Sequence, residues 1–341
     1  MTSKNSISNI LNVHKVDIAF VVFLGVLISG YWAYISEMQV PMWDGAAYLA
    51  NARGWLSGSP LPEIYRPPLI SWLIAGIWLF TGENWIYAKP LAAVFTVAAA
   101  IALYLSLRRD KGNLFSLGVT VLTILNAQVF YYGSQIYTEG ISLFFVVATM
   151  WCLKTPKRSH WFLAGIMMGL AFASRYPIVI QCLTLFAVES LIRKDWRLSA
   201  RTITGAIPVL LIVVSAVYLK TGTFQTALAK DTNFTFLLSP FYILNSISIW
   251  GPAFLLVSVA LFSKRTYSDS YNYSFIAWFL ASLLFWSSNS TNLKARFVVG
   301  FTPAVSYLIV LAIENIWKST IEDLHSGFGP NRLHLHGKGL Y

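Results

Sequence analysis

The chain has 341 residues, of which 56% are hydrophobic and only 11% are charged; an average soluble domain carries about 25% charged residues. That balance excludes a soluble enzyme. The net charge of +11 would suggest a nucleic-acid partner in a soluble protein, but here the basic residues fall in short loops between apolar runs, where they set membrane topology.

Apolar runs of about 18 or more residues recur, each long enough to cross hydrocarbon as a helix. Alternating segments of about ten residues, the mark of a transmembrane β-barrel, are not seen. Cys152 and Cys182 lie in apolar runs outside any metal or redox spacing, so no disulfide framework is implied.

The first predicted span is 17–35. It is longer than a signal-peptide core and lacks a clear small-x-small cleavage site, so it is read as a retained helix. Directly after it comes PMWDGAAYLANARGWLSGSPLPEIYRPPLISW, residues 41–72. Within it, 45–57 plots as an amphipathic helix: Tyr48, Leu49, Ala52, Trp55 and Leu56 share one stripe, with Asn51, Arg53 and Ser57 away from it. Such a helix lies along the membrane interface. Asp44 precedes it, a preferred N-cap residue, though a carboxylate has a second oxygen for other work. Arg66 precedes Pro67-Pro68, which hold the chain extended; alone it reads as a solvated arginine on a rigid turn.

Residues 67–80 are apolar but short for a crossing. Further spans are predicted at 87–107, 114–132, 139–153, 161–174, 177–192, 202–219, 241–262, 273–288 and 297–316. If 67–80 does not cross, the loops RRDKGN (108–113), KTPKRSH (154–160), RKDWRLSAR (193–201) and SKRTYSDS (263–270) share one side with both termini. The positive-inside rule makes that side cytoplasmic. The expected architecture is an all-α polytopic membrane protein with about ten transmembrane helices. Residues 1–316 form the membrane domain, and 317–341 form a cytoplasmic tail. The pair His334 and His336 in that tail is too few ligands for a metal site. Sequons at Asn233 and Asn289 face outward in this topology.

Charges at membrane depth are costly and mark function. Lys89, Glu139, Arg175, Lys294 and Arg296 fall at the outer ends of spans in this topology, on the same side as Asp44 and Arg66. Each has an ordinary reading alone: snorkelling for Arg175, a helix-dipole partner for Glu139, interfacial anchoring for Lys294 and Arg296. Their convergence on one face is the functional signal.

The segments WDGAAYLANARGWLSG, YRPPLISWLIAG, WIYAKPLAAVFTVAAAIALYLSLRR, YTEGISLFFVVATMWCL, GIMMGLAFASRYP and ARFVVGFTPAVSYL occur in that order. Their order and spacing resemble the type-C (GT-C) membrane glycosyltransferases, in the branch of protein O-mannosyltransferases and lipid A aminoarabinose transferases. The resemblance spans residues 17 to about 316. It implies transfer of a sugar from a polyprenyl-phosphate carrier to a glycan, lipid or protein acceptor at the outer or lumenal face of the cell membrane. It also implies membrane-parallel helices in the first outer loop, namely 45–57 and 67–80, with Asp44 as the acidic active-site residue there. Glu139 matches the second acidic position, Arg175 the basic residue before a proline, and Lys89 a common basic position. The sequence departs from the pattern at Asp44-Gly45, where many relatives carry two adjacent acids.

On this reading Asp44 is the catalytic base and Glu139 orients the acceptor or a basic partner. Arg66, Lys89, Arg175, Lys294 and Arg296 hold the donor phosphate. No metal or cofactor is expected, and no nucleic acid. A single base with in-line attack implies inversion at the anomeric carbon. The alternatives are a transporter or flippase of lipid-linked or small substrates, against which the absent internal repeat and the outer position of the charges weigh, and a non-catalytic subunit with the same fold.

Overall fold

The computed structural model describes residues 3–38, 40–41, 43–223, 249–287 and 299–327. Lys294, Arg296, both sequons and the histidine pair lie outside the described residues, as does the start of the predicted span 241–262. Every regular element among the described residues is helical. In chain order these are α1 (Ser3–Ser36), α2 (Trp43–Ser57), α3 (Leu69–Thr81), α4 (Leu91–Lys111), α5 (Asn113–Ile124), α6 (Ala127–Ser134), α7 (Glu139–Lys154), α8 (Arg158–Ser174), α9 (Val179–Arg193), α10 (Trp196–Thr221), α11 (Leu255–Phe262), α12 (Ser270–Ser287) and α13 (Thr302–Gly327). Short 3-10 turns precede α4, α9 and α11, and another follows α11.

Among the described residues the predicted spans fall on helices, but not all are alike. Among the described residues, five helical segments are long and apolar enough to cross a membrane unaided: Lys15–Ser36, Trp85–Lys111, Tyr176–Arg193, Trp196–Thr221 and Val299–Glu322. The expected span 114–132 is not one straight helix. It breaks between α5 and α6, which meet at 64° and count as a sixth span only if taken together. The cause is local: the Asn126 side chain accepts a hydrogen bond from the Gln128 N–H at 3.1 Å and caps a new helix. Helices α7 and α8, of 16 and 17 residues, reach about 24–26 Å at 1.5 Å per residue, shorter than the ~30 Å hydrocarbon core. The 13-residue α3 reaches only about 20 Å, consistent with a segment that does not cross.

Helix α7 is the centre of the bundle, with nearly every residue buried, and it packs against α4, α8 and α9. Lipid offers no hydrophobic drive between helices, so close backbone approach through small residues carries the packing. Between α4 and α7, a Cβ on Gly140 would lie 2.2 Å from Thr96 Oγ1 and 2.8 Å from the Ala92 carbonyl. Between α8 and α10, a Cβ on Gly165 would lie 1.9 Å from the Thr202 carbonyl, and one on Gly205 2.0 Å from the Phe162 carbonyl. Gly165 and Gly169 form a G-x-x-x-G pair on α8.

The far end of α7 is closed by a buried ionic network. Lys154 pairs with Glu189 of α9, and Ser274 of α12 bridges them, 2.8 Å from Lys154 Nζ and 3.0 Å from Glu189 Oε1. Arg193 and Arg109 both donate to the Lys154 carbonyl, at 2.8 and 3.2 Å. Lys111 binds Asp269 and Asn272. The loop residues read from sequence as topological charge thus also tie α4, α7, α9 and α12 together. Glu139 and Lys154, at opposite ends of α7, are separated by about 22 Å of helix.

Candidate active site

The site lies around the N-terminus of α7. Glu139 is the first residue of that helix, where the dipole favours a carboxylate, and the tight Gly140–Thr96 approach fixes its position against α4. Arg175 follows α8 in extended conformation (φ −162°, ψ 107°), and a 3-10 turn, Tyr176–Ile178, containing Pro177 follows it. The break turns Arg175 back toward α7, where its Nη1 donates to Glu139 Oε1 at 2.9 Å. Both side chains are almost wholly buried, at 10% and 2% exposure. The indole of Trp286, from α12, lies 5.8 Å from the Arg175 guanidinium carbon.

A second pair comes from the first loop. Arg66 Nη2 donates to Asp44 Oδ1 at 3.0 Å. Asp44 lies in the first turn of α2, which starts at Trp43, rather than ahead of the helix as an N-cap. Gly45 packs against the segment leading into α7: a Cβ there would sit 3.3 Å from Ile136 Cβ. The departure from paired acids at Asp44-Gly45 therefore falls at a close contact that brings Asp44 beside the approach to Glu139.

Tyr48 stands between the pairs. It is buried at 4% exposure, and the Arg66 guanidinium lies over its ring at 5.1 Å. Burial pushes its hydroxyl above the usual tyrosine range; Arg66 opposes this, while the Glu139 and Asp44 carboxylates add to it. At neutral pH the phenol therefore stays protonated and can donate. Sequence reasoning missed this role, because Tyr48 falls on the apolar stripe of α2. The same reasoning misplaced Asn51, which is 3% exposed. Its amide donates to the Glu63 carbonyl at 2.9 Å and its oxygen accepts from the Glu63 N–H at 3.0 Å, clamping the 58–66 loop onto α2.

Lys89 does not meet either carboxylate. Its ammonium donates to the Met38 carbonyl at 2.6 Å, lies 3.5 Å from the Ile35 carbonyl, and sits over the Trp85 ring at 4.5 Å. It thereby ties the end of α1 to the start of α4. Asp44, Arg66, Tyr48, Glu139 and Arg175 thus form one polar cluster drawn from α2, the following loop, α7 and the α8–α9 break.

An all-helical bundle with short helices in its first loop, and with paired carboxylates and guanidiniums at one end, defines an integral membrane protein of the GT-C fold. Comparison bears out the resemblance read from the segments. Residues 65–219 match the family described as dolichyl-phosphate-mannose-protein mannosyltransferase; Arg66, Lys89, Glu139 and Arg175 lie inside that match and Asp44 lies before it. Two solved structures are similar over 90% of this chain: ArnT from Cupriavidus metallidurans bound to undecaprenyl phosphate (TM-score 0.69, 16% identity) and the same protein in the apo state (TM-score 0.68, 15% identity). The chain spans 62% of the length of those proteins. No curated protein matches.

Proposed function

We propose that the protein is a glycosyltransferase that moves a sugar from a polyprenyl-phosphate carrier to an acceptor hydroxyl, with inversion, at the outer or lumenal face of the cell membrane. The observation that carries this reading is the meeting of two carboxylates and two guanidiniums around Tyr48, at the end of α7 opposite the basic loops. The mannosyltransferase family match and the ArnT structure holding undecaprenyl phosphate support the same donor class.

In the reaction, the acceptor oxygen attacks the anomeric carbon from the face opposite the phosphate. The bond between that carbon and the phosphate oxygen breaks, and polyprenyl phosphate leaves with the electron pair. Asp44 takes the hydroxyl proton, because an alcohol is a weak nucleophile until a base within reach removes it. Arg66 and Arg175 stabilise the charge that grows on the leaving phosphate, with Lys294 and Arg296 assigned to the same anion; Lys89, expected there from the sequence, is instead held by the Ile35 and Met38 carbonyls. Glu139 holds Arg175 in place. No metal or cofactor is needed for the step, since guanidiniums supply the positive charge.

The test is direct. Purified protein in lipid nanodiscs is incubated with polyprenyl-phosphate sugars and a panel of glycan, lipid and peptide acceptors, and release of polyprenyl phosphate is followed. Transfer that depends on both donor and acceptor is the expected result. Binding of undecaprenyl phosphate without transfer to any acceptor in the panel would favour a carrier of lipid-linked substrates.

A further inference from the structure

The end of α7 away from the polar cluster carries cations of two kinds. Some are matched by acids: Lys154 and Arg193 by Glu189, Lys111 by Asp269, and Arg108 by Asp17. Lys157, Arg158, Lys194, Arg197 and Arg201 are exposed instead, and among the described residues none of them enters an ion pair. The one acid in the loops that bear them, 154–160 and 193–201, is Asp195. It caps α10, accepting from the Arg197 N–H at 3.0 Å. We infer that these five cations form a binding site for the anionic headgroup of a phospholipid in the leaflet at this end. The inference does not rest on the proposed reaction.

Two parallel helices bring the five together. A Cβ on Gly165 of α8 would meet the Thr202 carbonyl of α10, and one on Gly169 would meet Val209. The contacts advance along both helices in the same direction, so their first turns lie side by side. Lys157 and Arg158 open α8, and Arg197 and Arg201 lie in the first two turns of α10. The loops are tied as well. Arg193 Nη2 donates to the Lys154 carbonyl at 2.8 Å, and its guanidinium lies 6.0 Å from the centre of the Trp161 ring. Trp161 Nε1 donates to the Thr155 carbonyl at 3.0 Å. Lys194, in left-handed conformation (φ 50°), and Asp195 alone join α9 to α10, which holds Lys194 next to Arg197.

Topology needs positive charge on one side but not its concentration at one corner, and this corner has two further features. Arg197 and Arg201 are four residues apart on one helix, where like charges repel; an anion lying across both removes that cost. The surface also runs directly into the lipid-facing side of α10. Trp196, between Lys194 and Arg197, is 73% exposed, and Ile203, Ile207 and Leu211 are exposed further along the helix. Guanidiniums for a phosphate, an indole for the headgroup level and bare aliphatic surface for acyl chains together suit an anionic phospholipid. Helix α8 carries Arg175 at its other end, so a headgroup held at Lys157 and Arg158 sets the height of that arginine in the bilayer.

The experiment is native mass spectrometry of the detergent-solubilised full-length protein, titrated with phosphatidylglycerol or with phosphatidylcholine. Wild type should bind phosphatidylglycerol at least about fivefold more tightly than the zwitterionic lipid. The double variant Arg197→Gln with Arg201→Gln should weaken phosphatidylglycerol binding by about tenfold or more and leave phosphatidylcholine binding unchanged. Lys157→Gln with Arg158→Gln, from the other loop, carries the same expectation. Arg265→Gln with Lys318→Gln also removes two cations, each paired with a glutamate on α13, and should keep the wild-type preference. Equal affinity of wild type for the two lipids, or unchanged phosphatidylglycerol binding by either cluster variant, overturns the site. An equal loss in the α13-paired variant would show that net charge alone is read, and overturns it as well. Displacement of the lipid by millimolar inorganic phosphate would mean that the cluster takes a free anion, and overturns its assignment to a headgroup.

Discussion

On the proposed function, Asp44 is the residue on which the chemistry turns. It lies in the first turn of α2, where the dipole welcomes a carboxylate, and Arg66 is its partner. Asparagine keeps its size and suits a helix start nearly as well, but it cannot accept a proton. Asp44→Asn should reach the membrane, remain folded, and lose turnover by about two to four orders of magnitude, as measured by transfer at saturating donor. Near-normal turnover would remove Asp44 from the mechanism. Both carboxylates and both arginines were legible in the sequence because charges at membrane depth stand out against their apolar surroundings. Their pairing was not: Asp44 and Arg66 lie 22 residues apart, and Glu139 and Arg175 lie 36 apart, with no local pattern joining them.

Among the elements, α8 and α10 approach each other closely through Gly165 and Gly205. A side chain at Gly165 would enter the space held by the Thr202 carbonyl, a backbone atom that cannot rotate away. Gly165→Val should destabilise the folded protein by about 1–3 kcal/mol or more and lower its thermal midpoint in detergent. Gly76, on α3, has nothing within 4 Å of a Cβ; Gly76→Ala should be neutral or slightly stabilising, since alanine favours helix. Equal effects of the two substitutions would show that close packing is not what glycine supplies at Gly165. The elements themselves were largely readable, because runs of apolar residues bounded by Gly, Pro and charge dictate helices. The break at Asn126 was not read, because a single capping residue inside an apolar run barely alters its hydropathy.

For the whole molecule, the arrangement of α2 and α3 decides which face carries the site. Ser59 and Asn84 are both exposed and flank α3, while Cys152 and Cys182 are buried and give little background. Cysteine at Ser59 and at Asn84 should both react with an impermeant thiol reagent added from outside, in sealed cells. Labelling at Ser59 alone would mean that α3 crosses and that the basic loops lie on the opposite side. By itself the sequence determined that the chain is an all-helical membrane protein, where most of its described helices run, and which charged residues stand out against apolar surroundings. Those properties follow from hydropathy and from the cost of burying charge, which act residue by residue. Tertiary structure alone decided that Asp44 meets Arg66, that Glu139 meets Arg175, that Lys89 serves the end of α1, and that the basic loops close the end of α7 opposite Glu139 as a network. These contacts join helices distant in the chain. What sets them is backbone approach at small residues such as Gly45, Gly140 and Gly165, and the same glycine in a sequence can mark a turn, a kink or a packing surface.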